Sequence, residues 1–343
     1  MARAWQEQVR RRAIVPADAY AMAVAADRLS GPMSEVGYRL YWMTEKVLGR
    51  HEICARPGGY AVVGRHEACD VVLDPGEQIV SLRHALVRAA ALDDGFPVIS
   101  VLDLQTTTGF ELSDGTKQRS VAATGPVVFR IGTCSLVALP STGKFPDVLP
   151  APFVEAGDLA PHRVEAVRIA APVASPVPAA GAAAGAKDDV NARANAPVSR
   201  ITLLPSSVVL SERPSSVAAS LARDPDYVIT GEGYEVILEA RARNGAPLVA
   251  GVRFTNADLD HGVLIGRSDK CVDAGLRSIL AESVSRVHVL LIREKGACHL
   301  YDCGSMNGTF ANGQRVRCLP LDDHGTSALL SAHQGVTLHW RAL

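Results

Sequence analysis

The chain has 343 residues, 48% of them hydrophobic, which is enough to bury cores for two domains with linkers between them. Its formal net charge is −1 and it carries no long basic run, which argues against nonspecific binding of nucleic acid through a charged surface. Seven cysteines stand at 54, 69, 134, 271, 298, 303 and 318 without a CxxC pair, which argues against a zinc ribbon or a thioredoxin-like centre.

Scattered reduced thiols of this kind fit a cytoplasmic protein. The segment from Trp5 to Arg12 is polar and charged, unlike a secretory leader. No run of about 18 apolar residues occurs, so no membrane span is expected. No metal site and no cofactor is expected either.

Residues 1–33 read as a helical segment. Ala19 to Leu29 is rich in strong helix formers, and Ser30-Gly31-Pro32 stops it. Arg10-Arg11-Arg12 reads as a solvated helix face. The helix is read as a cap on the domain that follows, with a docking element for a partner as the alternative.

Residues 34–140 change character. Tyr38 to Trp42 is aromatic and strand-like, Gly58-Gly59 turns the chain, and Tyr60 to Val63 leads into Gly64-Arg65. Asp70 to Leu73, Ser81-Leu82-Arg83-His84 and Val98 to Asp103 follow, and then Gln105-Thr106-Thr107-Thr108-Gly109-Phe110. Short β-type runs punctuated by turn residues predict an all-β sandwich.

Residues 141–231 are expected to be a linker. Phe153 to Arg200 is rich in Ala and Pro and poor in aromatics, the composition of an extended or disordered segment. Within the remainder, Ile201 to Leu204 and Val208 to Leu210 are apolar enough for a short docked strand. Thr202, Ser206, Ser207, Ser211, Ser215 and Ser216 are read as ordinary linker residues, with phosphoacceptors as the alternative.

Residues 232–343 repeat the earlier pattern more fully. Tyr234 to Leu238 opens the copy. Gly266-Arg267, Ser285-Arg286-Val287-His288 and Asp302-Cys303-Gly304-Ser305-Met306-Asn307-Gly308-Thr309-Phe310 follow, and then Asn312-Gly313. Gly64-Arg65 matches Gly266-Arg267, Ser81-x-x-His84 matches Ser285-x-x-His288, and Asp103 matches Asp302. The Arg-to-Ser spacing is 16 in the first copy (65 to 81) and 18 in the second (267 to 285). If the β runs form one sandwich, the three polar loops gather at one end of it.

The loop residues suit a small dianion. Arg267 offers a planar fork of donors with a permanent charge, and Ser285 a short hydroxyl. Asn307 carries a donor and an acceptor on one amide, which suits reading a peptide backbone. Gly266 and Gly308 permit tight turns or close approach.

The order Gly-Arg, Ser-x-x-His and Ser-x-Asn-Gly-Thr-x-x-Asn-Gly closely resembles the forkhead-associated (FHA) domain, a β-sandwich that binds phosphothreonine peptides. The resemblance implies a tandem all-β protein, with two FHA-type sandwiches joined by the Pro/Ala-rich linker. It implies that Arg267, Ser285 and Arg286 contact the phosphate or the peptide beside it, and that Asn307 bonds the peptide backbone. It also implies that Gly266, His288, Gly308 and Asn312 brace the loops. Met306 departs from the small polar residue often found before that Asn.

The first copy has Thr108 where the second has Asn307, and a hydroxyl cannot pair with a peptide backbone as an amide does. Arg65, Ser81 and Thr108 are therefore read as a candidate weak site, and copy two as the principal reader.

The expected function is that of a phosphopeptide-binding adaptor in Ser/Thr-kinase signalling. Its expected partners are phosphothreonine-containing proteins, a Ser/Thr kinase among them, with no nucleic acid. The alternative is a phosphate-independent scaffold in an assembly such as a secretion system. An enzyme is not expected, since no P-loop, HExxH, GxSxG or kinase Asp-Phe-Gly set occurs. Asp322-Asp323-His324 reads as a solvated loop.

Overall fold

Side chains that alternate along a strand give each strand two faces, and both faces must be accounted for. In the computed structural model, the residues described are 13–44, 47–92, 95–141, 145–146, 148–149, 153–156, 207–210, 233–241, 247–271, 279–280, 282–322, 325–332 and 335–342. They form four sheets and two helices, and the class is all-β. Residues 1–12, with the Arg10 to Arg12 run, lie outside the described set, as does most of 141–231. No helix among the described residues is long and apolar enough to cross a membrane.

Sandwich one is built from β1 (Gly37–Met43), β2 (Leu48–Cys54), β3 (Tyr60–Gly64), β4 (Val71–Val72), β5 (Ala85–Ala91), β6 (Pro97–Asp103), β7 (Phe110–Leu112), β8 (Lys117–Gln118), β9 (Ser120–Ala123), β10 (Val127–Ile131) and β11 (Cys134–Pro140). Two short strands from the intervening segment are β12 (Phe153–Ala156) and β13 (Ser207–Leu210). Sandwich two comprises β14 (Gly233–Arg241), β15 (Pro247–Thr255), β16 (Val263–Ile265), β17 (Val289–Glu294), β18 (Ala297–Asp302), β19 (Thr309–Ala311), β20 (Gln314–Val316), β21 (Cys318–Leu321), β22 (Thr326–Leu330) and β23 (Val336–Ala342).

The repeat seen in the sequence is a repeat of topology. One sheet runs β2-β1-β11-β10-β7-β8 in sandwich one and β15-β14-β23-β22-β19-β20 in sandwich two, the same order position for position. The facing sheets share β3-β5-β6-β9 with β16-β17-β18-β21 as neighbours. In sandwich one this second sheet is extended at its edge, where β13 pairs antiparallel with β9 and parallel with β12. The apolar stretch Val208 to Leu210 is thus a docked strand. Ile201 to Leu204 lies outside the described residues, as do the candidate phosphoacceptors other than Ser207, which opens β13.

Sandwich one is covered on both of its outer faces. On β1, Tyr38 and Leu40 enter its own core, while Tyr41 and Met43 face helix α1 (Pro16–Leu29). On β11, Cys134, Leu136 and Ala138 point in and Val137 and Leu139 point to the helix. Ala19, Tyr20, Ala23 and Val24 fill that contact from α1. Polar bonds fix its position: Arg39 Nη1 and the Tyr41 hydroxyl both donate to Asp27 Oδ1, at 2.9 and 3.0 Å. The helix packs on sandwich one and stops at Ser30, just before Gly31 takes φ +70°.

The opposite face packs on sandwich two. Ala61 and Val63 of β3 enter core one, while Tyr60 and Val62 belong to the core of sandwich two. Ala85, Val87 and Ala89 of β5 repeat that inward face, and Leu86 crosses outward. The Tyr60 and Tyr301 rings meet edge to face with centroids 5.1 Å apart. The Tyr60 hydroxyl lies 2.7 Å from the carbonyl of Asp302 and 2.8 Å from that of Arg317. Arg317 lies over the Tyr60 ring and pairs with Asp70 at 2.7 Å. Arg88 pairs with Glu294, which also accepts from the Tyr301 hydroxyl at 2.6 Å. Each large apolar side chain buried this way contributes about 1.5–3 kcal/mol, so the two sandwiches are docked and not merely tethered.

Candidate functional site

The strand ends deliver three loops of sandwich two to one place. The first follows β16, the second precedes β17 and the third joins β18 to β19. Backbone bonds lace the first two together: Arg267 N–H donates to Ser285 O at 3.1 Å, and Ser268 N–H to Arg286 O at 2.9 Å. That closeness explains Gly266. A Cβ there would stand 2.2 Å from the Arg286 carbonyl oxygen, which no side chain can occupy.

Arg267 is exposed, and its Nε donates to Val284 O at 2.5 Å. That bond aims the guanidinium plane. The two terminal nitrogens have no protein partner among the described residues, so the fork is set for a ligand. The Ser285 hydroxyl accepts from Met306 N–H at 3.1 Å and keeps its own proton to donate. Asn307 Nδ2 donates to Ser283 O at 2.7 Å, which ties the third loop to the second and leaves its side-chain carbonyl oxygen without a protein partner among the described residues. Met306 is 63% exposed beside it. Arg286 is also exposed and makes no side-chain hydrogen bond within the described residues.

His288 is fully buried beneath these loops. Its Nδ1 accepts from Ser285 N–H at 3.0 Å, and its Nε2 lies 3.2 Å from Gly308 O. An acceptor role on one nitrogen and a donor role on the other define a neutral ring with the proton on Nε2. Burial pushes its pKa down to about 4, against the opposing pull of Asp302. Gly308 takes φ +78°, and a Cβ there would meet Arg315 at 2.7 Å. Asn312 and Gly313 lie elsewhere. At φ 50° and 76° they form the two-residue turn between β19 and β20, with no bond from Asn312 to the three loops among the described residues.

Several residues that shape the site were assigned no role from the sequence. Asp302 is the base of the third loop. It accepts from Ser305 N–H at 2.7 Å, from the Ser305 hydroxyl at 2.5 Å and from the Thr309 hydroxyl at 2.7 Å. An Asp followed three residues later by Ser or Thr was the available signal, since that pair closes a local turn. Arg315 Nη2 donates to Ser305 O at 3.2 Å. Arg83 comes from sandwich one. Its Nε donates to Gly304 O at 2.6 Å and its Nη2 donates to the same oxygen. Nothing in local spacing points to that contact, which joins positions 221 residues apart.

Sandwich one repeats the frame. Arg65 Nε donates to Val80 O at 2.8 Å, and Arg65 N–H to Ser81 O at 3.1 Å. His84 Nδ1 accepts from Ser81 N–H at 3.1 Å, and its Nε2 lies 2.8 Å from Gly109 O. The difference lies in the third loop. Among the described residues, Thr108 has a 3.5 Å contact with the adjacent Gly109 carbonyl and no bond to the second loop like that of Asn307. Instead Arg119 holds the loop, donating through Nη1 to Asp103 and Thr106 O and through Nη2 to Thr107 O.

The FHA domain family model matches residues 263–324, the stretch that carries all three loops of sandwich two. The match puts an FHA domain in the second sandwich. No curated protein matches the chain. Among solved structures, it is similar to the FHA domain of CT664 from Chlamydia trachomatis, at 16% identity and a TM-score of 0.25 over 30% of this chain and 96% of that one. It is similar to Rv1747 FHA-1 of Mycobacterium tuberculosis, at 21% identity and a TM-score of 0.23 over 30% and 97%. The yeast Dun1 FHA domain, solved with a doubly phosphorylated peptide from Rad53, gives 21% identity and a TM-score of 0.27 over 34% and 84%.

Proposed function

We propose that the chain is a phosphopeptide-binding adaptor that reads phosphothreonine through sandwich two, on partners modified by a Ser/Thr kinase. The observation that carries this reading is Arg267, aimed by its Nε bond to Val284, its backbone N–H bonded to the Ser285 carbonyl and its terminal nitrogens without a protein partner among the described residues. The phosphate takes donors from Arg267 and Ser285, and Arg286 adds charge at the rim. The side-chain carbonyl of Asn307 bonds the peptide backbone. His288 holds the second and third loops in register from below and touches no ligand.

Charge-assisted hydrogen bonds contribute about 1.5–3 kcal/mol each. A few of them with little apolar burial give an affinity on the order of micromolar, near −8 kcal/mol. The extra methyl of threonine over serine adds about 0.8 kcal/mol when fully buried. The direct test is calorimetric titration of the full chain with one peptide in phosphothreonine, phosphoserine and unmodified forms. Equal affinity for the phosphorylated and unmodified forms would overturn the reading.

A second reading is a scaffold that binds without phosphate, and the altered third loop of sandwich one is the observation on its side. In that loop Arg119 holds the backbone, and among the described residues no cross-loop bond comes from Thr108. A partner that stays bound after phosphatase treatment would support it.

A further inference from the structure

We propose that the loops of both sandwiches form one bipartite surface for a single segment bearing two phosphorylated side chains. One phosphate sits at Arg267 and Ser285 and the other at Arg65 and Ser81. The inference rests on the phosphopeptide reading of sandwich two and extends it to a partner class.

Arg65 is held as Arg267 is. Its Nε is tied to the carbonyl of the residue before the loop serine, Val80 in one case and Val284 in the other. Its terminal nitrogens have no protein partner among the described residues. The Ser81 hydroxyl likewise has none, whereas the Ser285 hydroxyl already receives Met306 N–H. Sandwich one therefore keeps a formed phosphate fork while lacking the amide that reads a backbone. Such a half-site contributes little alone and much once the other half holds the ligand.

The two loop sets are contiguous. Lys270, in the first loop of sandwich two, reaches Thr107 in the third loop of sandwich one at 3.3 Å, and both are exposed. On the other flank Arg83 grips Gly304, and a Cβ on Gly304 would lie 3.2 Å from Ala68 O. The buried contact around Tyr60, Tyr301 and Leu86 holds the sets at a fixed separation. The intervening segment therefore does not set the effective concentration of the second phosphate. Only the ligand's own spacing does, and a rigid pair of forks selects that spacing.

The test titrates the full chain with peptides carrying one phosphothreonine, or two separated by increasing numbers of residues. We expect one window of spacing to bind at least tenfold tighter than the singly phosphorylated peptide. Arg65→Ala, with its fold checked by thermal melt, should reduce that ratio to about twofold, the statistical value. Arg65→Lys, which keeps the charge without the fork, serves if the alanine variant does not fold, and should reduce the ratio in part. Cleavage at a protease site placed within 157–200 should leave the ratio unchanged. A flat spacing profile overturns the inference while leaving the phosphopeptide reading intact. So does a ratio that survives loss of Arg65, or one that collapses on cleavage. Absence of any phosphate-dependent binding overturns both.

Discussion

His288 shows how one side chain sets the behaviour of the loops above it. Its two nitrogens serve an N–H and a carbonyl at once, which only the neutral ring can do. Its folded pKa, near 4, lies below the ordinary value of 6.5, so the unfolded chain takes up a proton first as pH falls. The stabilisation is therefore complete above about pH 7 and is lost between about 6.5 and 4, on the order of 3 kcal/mol in all. His84 is shifted the same way by burial and adds to the effect. Denaturant melts at stepped pH should show this fall, and His288→Gln should flatten it. For the ligand-facing residues, Arg267→Ala and Ser285→Ala should each weaken phosphopeptide binding about tenfold or more, from about 1.5–3 kcal/mol per charged bond. Their melting temperatures should stay near that of the parent, because Arg267 is exposed and the Ser285 hydroxyl accepts only one loop bond. Titration beside thermal melts separates the two effects, and unchanged affinity in a folded variant would remove that residue from the site.

At the scale of the element, the third loop of sandwich two is held from three directions. Asp302 anchors it from within, Arg315 binds Ser305 O, and Arg83 reaches in from the neighbouring sandwich. Arg83 is 8% exposed, and it stands at the position matching Val287 in the second copy. Arg83→Ala should quicken hydrogen exchange at the Ser305 and Met306 amides and weaken phosphopeptide binding severalfold in the full chain. Arg83→Lys should recover only part of this, since an ammonium lacks the fork that meets one oxygen through two nitrogens. An affinity untouched by Arg83→Ala would mean that Asp302 and Arg315 suffice. The β3 strand shows why this contact exists. All of its residues are buried, as two-sided strands are, because one face serves its own core and the other serves its neighbour.

At the scale of the molecule, the two sandwiches share a hydrophobic core cluster and an ion pair, Arg88 with Glu294. The full chain should therefore unfold in one cooperative transition by calorimetry, although it contains two sandwiches. Glu294→Ala leaves the half-buried Arg88 without its partner and should lower the melting temperature. Two resolved transitions in the parent chain would show that the halves fold independently. The interface also bears on how sandwich two is studied. Expressed as 230–343 alone, it would present Tyr301 and its apolar neighbours to water, a face that the parent chain covers with Tyr60, Val62 and Leu86.

The sequence by itself determined the all-β class, the internal repeat and the place of the three loops. Those features rest on local causes: alternation of apolar residues, turn residues between runs, and a glycine wherever a carbonyl crowds the backbone. The exchange of Asn307 for Thr108 was also visible there, because it is one residue at one matched position. The tertiary structure alone decided which groups complete the site. Arg83 and Gly304 are 221 residues apart, and no periodicity links them. Tyr60 and Val62 read as ordinary strand residues, since an apolar side chain looks the same whether it faces its own core or a neighbour's. The linker composition suggested two sandwiches joined by an extended segment, but composition reports the segment between two domains and not the complementarity of their faces. That complementarity, a tyrosine edge to face with a tyrosine and a half-buried arginine opposite a glutamate, exists only once both sheets are folded.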